Sequence, residues 1–339
     1  MANFQKDFKI WVLKHLPSSA LLSEPLSFKP LAGDAGFRSY FRLNTQIPLL
    51  AVYSPPQEED NLAFVRVSQH FSSGKIKVPK IFAVNFEKGF MLLQDFGTEL
   101  LQPLLNLDTL PQYYDLAEEL LLDLQLLHPG DNIFPSYGKP QFMAELQLFQ
   151  KWFVEKLLML DVSQGDLRIL DDLFELLIEN AMEQPSVIVH RDYHSRNLIV
   201  HKSQIGVIDY QDAVVGPITY DLVSLLKDCY LSWPEEIVRQ RALSYKSRAV
   251  SKGLMQDIKD QKFMKWFDWM GLQRHIKVMG IFARLSIRDN KESYLSELPR
   301  VVNYVLSTTF NYSELKPFNQ WFSEKICVCL PRYPWYSGD

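Results

Sequence analysis

Cysteine is scarce in this 339-residue chain: Cys229, Cys327 and Cys329 are the whole supply. An odd, sparse set builds no disulfide framework and fits a reducing, cytoplasmic setting. Cys327-x-Cys329 has no second ligand pair nearby, so packing is favoured over a metal site. Excess positive charge is also missing. Against 36 Lys and Arg stand 40 Asp and Glu, a net charge of -4, which excludes global attraction to nucleic acid or to an anionic membrane. Phosphate binding, if any, must be local. Uninterrupted apolar runs of the roughly 18–20 residues that span a bilayer are absent. The opening MANFQKDFKIWVLKHL spaces Phe4, Phe8, Trp11, Val12 and Leu16 near a helical period and breaks them with lysines. That predicts an amphipathic helix and argues against a signal peptide. No repeat and no low-complexity segment is found, and no protein partner is evident.

What is present is core. Hydrophobic residues make up 47% and aromatics 13% of the chain, enough for one large or two medium domains. Residues 26–54 alternate short β-type runs with turns, 58–71 carries Leu62, Val65 and Phe71 on one helical face, and KIFAVNFEKGFMLLQDF predicts two further strands. Five strands and one helix form a small α+β lobe over 1–94. Long helical periods dominate 95–339, at 111–128, 141–160, 166–183, 234–252, 255–288, 291–308 and 314–326. The exception is 186–212, which predicts two short strand pairs with a polar loop.

That loop carries the chemistry. In VIVHRDYHSRNLIVHKSQIGVIDYQD (187–212), Asp192 and Asn197 are separated by four residues, and Asp209 ends a strand twelve residues beyond Asn197. An amide carbonyl and a carboxylate can share Mg2+, a hard cation that prefers oxygen ligands. A second carboxylate, left free of metal, can accept or orient the proton of an attacking hydroxyl. Phosphoryl transfer needs these parts because positioning and charge neutralisation supply most of its catalysis. His190-Arg191-Asp192 and Asn197 match the kinase-type catalytic loop H-R-D-x-x-x-x-N letter for letter, whereas Asp209-Tyr210-Gln211 keeps only the Asp of D-F-G. The alternative, a polar hairpin with a capped turn, is a poor account of four matched positions followed by a strand-terminal Asp.

With IDYQDAVVGPITYDLVSLLKD (208–228) the sequence resembles the aminoglycoside phosphotransferase and choline-kinase-like family. FRSYFRL, SPPQEED, LLQDFG and GLQRHIKVMGIFARLSIRDNKESYLSELPRVVNYV further resemble bacterial anomeric kinases of N-acetylmuramate and N-acetylglucosamine in cell-wall recycling. The resemblance implies an α+β, two-lobed protein-kinase-like fold, ATP and Mg2+ as cofactors, and phosphorylation of a sugar at C1. By position it makes Asp221, with His190, a brace for the catalytic loop; an N-terminal helix cap is the plain reading of the same Asp.

The small lobe departs from the kinase pattern. Gly33 and Gly36 in LAGDAGFRSYFRL could form a phosphate-covering turn, or an ordinary hairpin turn. Where a kinase-like strand carries lysine, LLAVY ends in Tyr53, and 61–71 contains no glutamate. Losing both partners together is coherent, since one left alone would be a costly buried charge. Arg38 or Arg42 could replace the cation. Gln94 and Phe96 in LLQDFG fall where extended backbone can meet adenine, although a plain strand-to-turn junction fits as well.

For the acceptor, His194, Arg196 and Asp212 lie beside the catalytic positions. Arg274 and Arg288 fall near one face of the helix over 271–288, with Arg284 offset. An arginine facing a lactyl carboxylate is chemically sensible, and a solvated, salt-bridged helix is the plain alternative. His128 and His201 read as structural, and tryptophans 152, 266, 269 and 321 as core. Two other functions stay open: a kinase of aminoglycosides or other small alcohols, and a nucleotide-binding pseudokinase or scaffold, suggested by the absent lysine. The intact Asp192, Asn197 and Asp209 argue against the second.

Overall fold

A computed structural model describes residues 2–20, 25–31 and 37–336. Its elements in chain order are α1 (Ala2–His15), β1 (Phe28–Pro30), β2 (Ser39–Leu43), β3 (Leu49–Tyr53), α2 (Asn61–Ser73), β4 (Ile81–Asn85) and β5 (Phe90–Gln94). Then come α3 (Leu110–Leu126), α4 (Lys139–Leu148), α5 (Gln164–Met182), β6 (Ser186–Val189), β7 (Leu198–His201), β8 (Gln204–Val207) and β9 (Val214–Pro217). The chain closes with α6 (Tyr220–Leu226), α7 (Glu235–Ser251), α8 (Asp260–Asp289), α9 (Leu298–Phe310) and α10 (Lys316–Trp321). Two compact units result, Met1–Phe134 with Ser195–Ala213, and Pro135–His194 with Val214–Asp339. Sequence pattern alone divides the chain at 94, where strand periods end; the first unit continues through α3 and also takes in the β7–β8 hairpin.

The first unit is built on an antiparallel sheet in the order β1-β2-β3-β5-β4. Period-2 alternation separates its two faces. Phe41, Leu43, Leu49, Ala51 and Phe90 turn towards α1, where Phe8 lies 5.9 Å from Phe41 and 4.9 Å from Phe90 between ring centres. Tyr53 belongs to that face too, its ring 6.2 Å from Phe90. The expectation that Tyr53 fills the lysine slot is therefore corrected. The β2–β3 register pairs Tyr40 with Val52, and alternation carries Val52 and Ser54 to the face opposite α1. The helix on the opposite face, α2, is started by Asp60, whose Oδ1 accepts the Ala63 N–H at 2.8 Å.

The β7–β8 hairpin turns through Lys202 and Ser203, both left-handed (φ 51° and 60°), the geometry of a type I′ turn that matches the strand twist. β8 is tied to the rest of its unit by the Val207 N–H donating to the Lys77 carbonyl at 2.8 Å.

The second unit is organised around the 30-residue α8, much of it buried. Gly280 permits close approach there: a Cβ on it would lie 2.4 Å from the Leu148 carbonyl carbon. β6 pairs with β9 in antiparallel register, Val189 opposite Val214. The second strand of this pair, β9, is not marked by sequence pattern. The helix expected over 291–308 is divided into a 3-10 turn (Glu292–Glu297) and α9, because Pro299 has no N–H to continue a helix and suits its first turn. That expected over 141–160 widens into a π-helical stretch at Phe149–Leu157.

Candidate active site

Hairpin geometry brings Asn197 and Asp209 to one end of β7–β8. Leu198 pairs with Val207, and one step further the Ile208 N–H donates to the Asn197 carbonyl at 3.1 Å. Asp209 follows at once, exposed and left-handed (φ 62°), a backbone state that Asp tolerates better than most residues. Its Oδ1 accepts from Gln211 Nε2 at 2.7 Å. The next residue fastens this turn to α2: Tyr210 is buried, stacked on Phe64 at 5.2 Å and set edge-on to Phe71 at 5.8 Å. An amide and a carboxylate at one hairpin end are hard oxygen donors. Among the described residues no group of three or more His, Cys, Asp or Glu could hold a metal. A two-residue oxygen set fits Mg2+, which keeps several waters and takes further oxygens from phosphate.

In the second unit, the loop after β6 is held by Asp221 at the start of α6. Its Oδ2 accepts the His190 N–H at 2.6 Å and its Oδ1 the Arg191 N–H at 3.0 Å. These bonds hold Arg191 in a left-handed conformation (φ 76°) that costs energy for a side chain of its size. Burial pushes the Asp221 carboxyl up to about 7, against the pull of those two N–H groups and of Arg274. Asp192 stands among cations. Burial raises its carboxyl, but Lys277, His194, Arg274 and Arg191 more than offset this and hold it below the ordinary carboxylate value. It is an anion at neutral pH.

A buried network supports those cations. Lys277 donates to Tyr220 Oη at 2.9 Å and pairs with Glu145 at 3.0 Å, and Arg191 pairs with the same Glu145 oxygen at 2.6 Å. Tyr137 donates to the other oxygen of Glu145, and the Arg191 guanidinium lies 5.4 Å from the Tyr137 ring centre. Glu145, Lys277 and Tyr220 were not among the residues that the sequence singled out. The available signal was Lys277 lying three residues after Arg274, hence on the same helix face.

Other candidates separate clearly. Arg274 is 4% exposed and lies over the Tyr220 ring at 5.3 Å, with Nε and Nη1 making no hydrogen bond. His194 sets its ring edge-on to Tyr230 at 5.4 Å and leaves a buried Nδ1 without one. Arg288, fourteen residues beyond Arg274, is some ~21 Å along the helix; it is exposed and ion-paired with its neighbour Asp289. The structure does not bring these two arginines together. Arg196 donates to Gln102 Oε1 at 2.9 Å, and Asp212 is exposed. Gln94 turns its side-chain oxygen back to the Lys80 N–H at 3.4 Å, while the Phe96 ring stacks on His201 at 5.1 Å. Arg42 is ion-paired with Asp95, and Arg38 with Glu59. Gly33 and Gly36 lie outside the described residues.

Comparison with known proteins gives this arrangement its family. A model of the phosphotransferase enzyme family matches residues 27–252. The chain belongs to that family. An N-acetylmuramate/N-acetylglucosamine kinase of Pseudomonas aeruginosa is 35% identical over 292 residues, covering 86% of each chain. One from Pseudomonas putida is 36% identical over 299 residues, 88% of each. Among solved structures, a choline kinase from Cryptosporidium parvum superposes with TM-score 0.62 at 14% identity over 94% of this chain and 99% of its own. An ADP-bound aminoglycoside phosphotransferase gives 0.57 at 14% identity over 88% and 97%. The fold is thus the two-lobed α+β fold of these kinases. The family member described here is an ATP-dependent kinase of a small molecule. Among the described residues no helix is long and apolar enough to cross a membrane.

Proposed function

We propose that this phosphotransferase uses Mg-ATP to phosphorylate the anomeric hydroxyl of N-acetylmuramate and N-acetylglucosamine. The observation that carries the reading is the 35–36% identity to kinases named for these two sugars, spread over most of both chains. In this reading Asp192 orients the sugar hydroxyl and takes up its proton as the bond to phosphorus forms. Its depressed pKa suits an orienting carboxylate, since the strongly nucleophilic partner is not required when the phosphoryl transition state is loose. Asn197 and Asp209 hold Mg2+, which when bound neutralises phosphate charge. Asp221 fixes the loop that carries Asp192.

Arg274 and His194 supply the acceptor side. Both bring buried nitrogens without hydrogen bonds to the surroundings of Asp192, and buried polar atoms are costly to leave unpaired. A lactyl carboxylate or an N-acetyl oxygen would satisfy them. Three unbridged cysteines and an ATP requirement support a cytoplasmic setting for the reaction.

The test is ADP release with Mg-ATP and, in turn, N-acetylmuramate, N-acetylglucosamine, glucose and kanamycin, scoring each product for loss of its reducing end. Turnover of the N-acetylated sugars with that loss is expected. Activity on kanamycin alone would overturn the substrate, and phosphorylated sugars that keep their reducing ends would overturn the position.

A further inference from the structure

Arg42 on β2 and Arg38 just ahead of it are both candidates for the cation that β3 lacks, and their partners distinguish them. Arg42 is committed beyond β5: it pairs with Asp95 through Nε and Nη2, and its Nη2 also donates to the Gly97 carbonyl at 3.1 Å. Arg38 is held differently. Only 9% exposed, it donates through Nε to Ser54 Oγ at 3.1 Å and lies over the Phe64 ring of α2 at 5.1 Å. Its Nη2 is 2.8 Å from Glu59 Oε2, but that contact lies off the N–H direction, so Nη2 is buried with an ion pair and no hydrogen bond. Glu59 uses its other oxygen on the Phe37 N–H at 3.2 Å, anchoring the backbone beside Arg38.

The surroundings point the same way. Tyr40 lies two residues after Arg38, and its phenol, pushed up to about 12 by burial, is acted on by the charges of Arg38 and Asp209 and by a hydrogen bond with Arg38. Phe64, beneath the guanidinium, also carries Tyr210. Arg38 therefore shares a neighbourhood with the carboxylate assigned to Mg2+.

We propose that Arg38, held by Glu59 and Ser54, is the cation that contacts the nucleotide phosphates, and that the Arg38–Glu59 pair replaces the strand lysine and helix glutamate of other kinases. Glu59 stands just ahead of α2, not within it, and Arg38 stands just ahead of β2, the strand next to β3, and donates to Ser54. The substitution moves both partners together and keeps the buried charge compensated. An arginine also offers a planar fork that binds a phosphate with two parallel N–H groups, whereas a lysine offers a point charge.

The inference rests on the reading of the protein as an ATP-dependent kinase, and its test needs no sugar. Calorimetric binding of Mg-ATP and of adenosine is compared for the native chain, Arg38→Ala, Arg38→Lys and Glu59→Gln. Arg38→Ala should weaken Mg-ATP by about 10- to 100-fold, the worth of one or two charge-assisted hydrogen bonds, and leave adenosine unchanged. Arg38→Lys should recover part of the loss, and Glu59→Gln should show a smaller, equally selective one. Equal weakening of both ligands would mean a structural arginine and overturn the proposal, as would no change in either. Should Arg38→Ala fail to fold, Arg38→Gln against Arg38→Lys gives the same decision, since only the lysine keeps the charge. Selective Mg-ATP loss in a protein that turns over no sugar would sink the substrate reading and leave this one standing.

Discussion

Asp209 and Asp192 are two carboxylates of one motif in opposite settings. Asp209 sits exposed at the end of a hairpin, in a left-handed turn, with a neighbouring amide on one oxygen. Asp192 lies on a braced loop with Lys277, Arg274 and Arg191 acting on it. An exposed carboxylate has room to gain oxygen-bound partners, which suits a metal ligand. One surrounded by fixed cations is ionised in advance and held still, which suits a group that must point at a single hydroxyl. The difference is made by neighbours, since the two side chains are chemically the same.

The largest test of that contrast is Asp192→Ala. Turnover should fall by about 10²–10⁴-fold with Mg-ATP affinity retained, measured as kcat beside a binding isotherm. Unchanged turnover would remove Asp192 from the chemistry. Asp221→Ala removes the carboxylate that accepts the buried His190 N–H and the half-buried Arg191 N–H. A stability loss of about 2–4 kcal/mol is expected in a denaturant titration. A loss below the error of that titration would show that water replaces the brace.

Lys277→Met probes the charge balance itself. Asp192 is held below its ordinary value, so its anion persists as pH falls and is lost only through that depressed value. Its charge interactions therefore stabilise the fold above the unfolded carboxylate value and disappear in acid. Removing Lys277 raises the Asp192 pKa, so the acid limb of the kcat profile should move to higher pH. Stability should fall by up to about 3 kcal/mol, less than for a bare buried charge because Arg191 still pairs with Glu145. An unmoved acid limb would break the assignment of that limb to Asp192. Smallest of all, Arg288→Ala should change neither melting temperature nor sugar KM, since its exposed guanidinium is ion-paired with its own neighbour Asp289 at the helix end. A raised KM would return Arg288 to the acceptor site.

Much of this was legible in the chain. Asp192, Asn197 and Asp209 stand at a spacing that chemistry requires, and five strands with one helix are marked by alternation and turn residues. Tyr53 was misplaced because a strand's register decides its face, and register depends on the neighbouring strands. Glu59 was missed because a search within the helix stops at its first turn, whereas the ion pair reaches one residue ahead of the Asp60 cap. Arg274 and Arg288 look alike on a helical wheel, yet one is buried and the other exposed, because a wheel discards the distance along the axis.

The sequence by itself determined the reaction class, the helical and strand periods, and the identity of the motif carboxylates, since those follow from residue types at short, fixed separations. The tertiary structure alone decided which charges surround Asp192, which carboxylate Arg38 and Arg42 each pair with, and which face Tyr53 takes. Those outcomes belong to contacts between residues tens to more than a hundred positions apart, such as Glu145 with Arg191 and Lys277. Burial and pairing act between neighbours in space, and only the folded chain makes those residues neighbours.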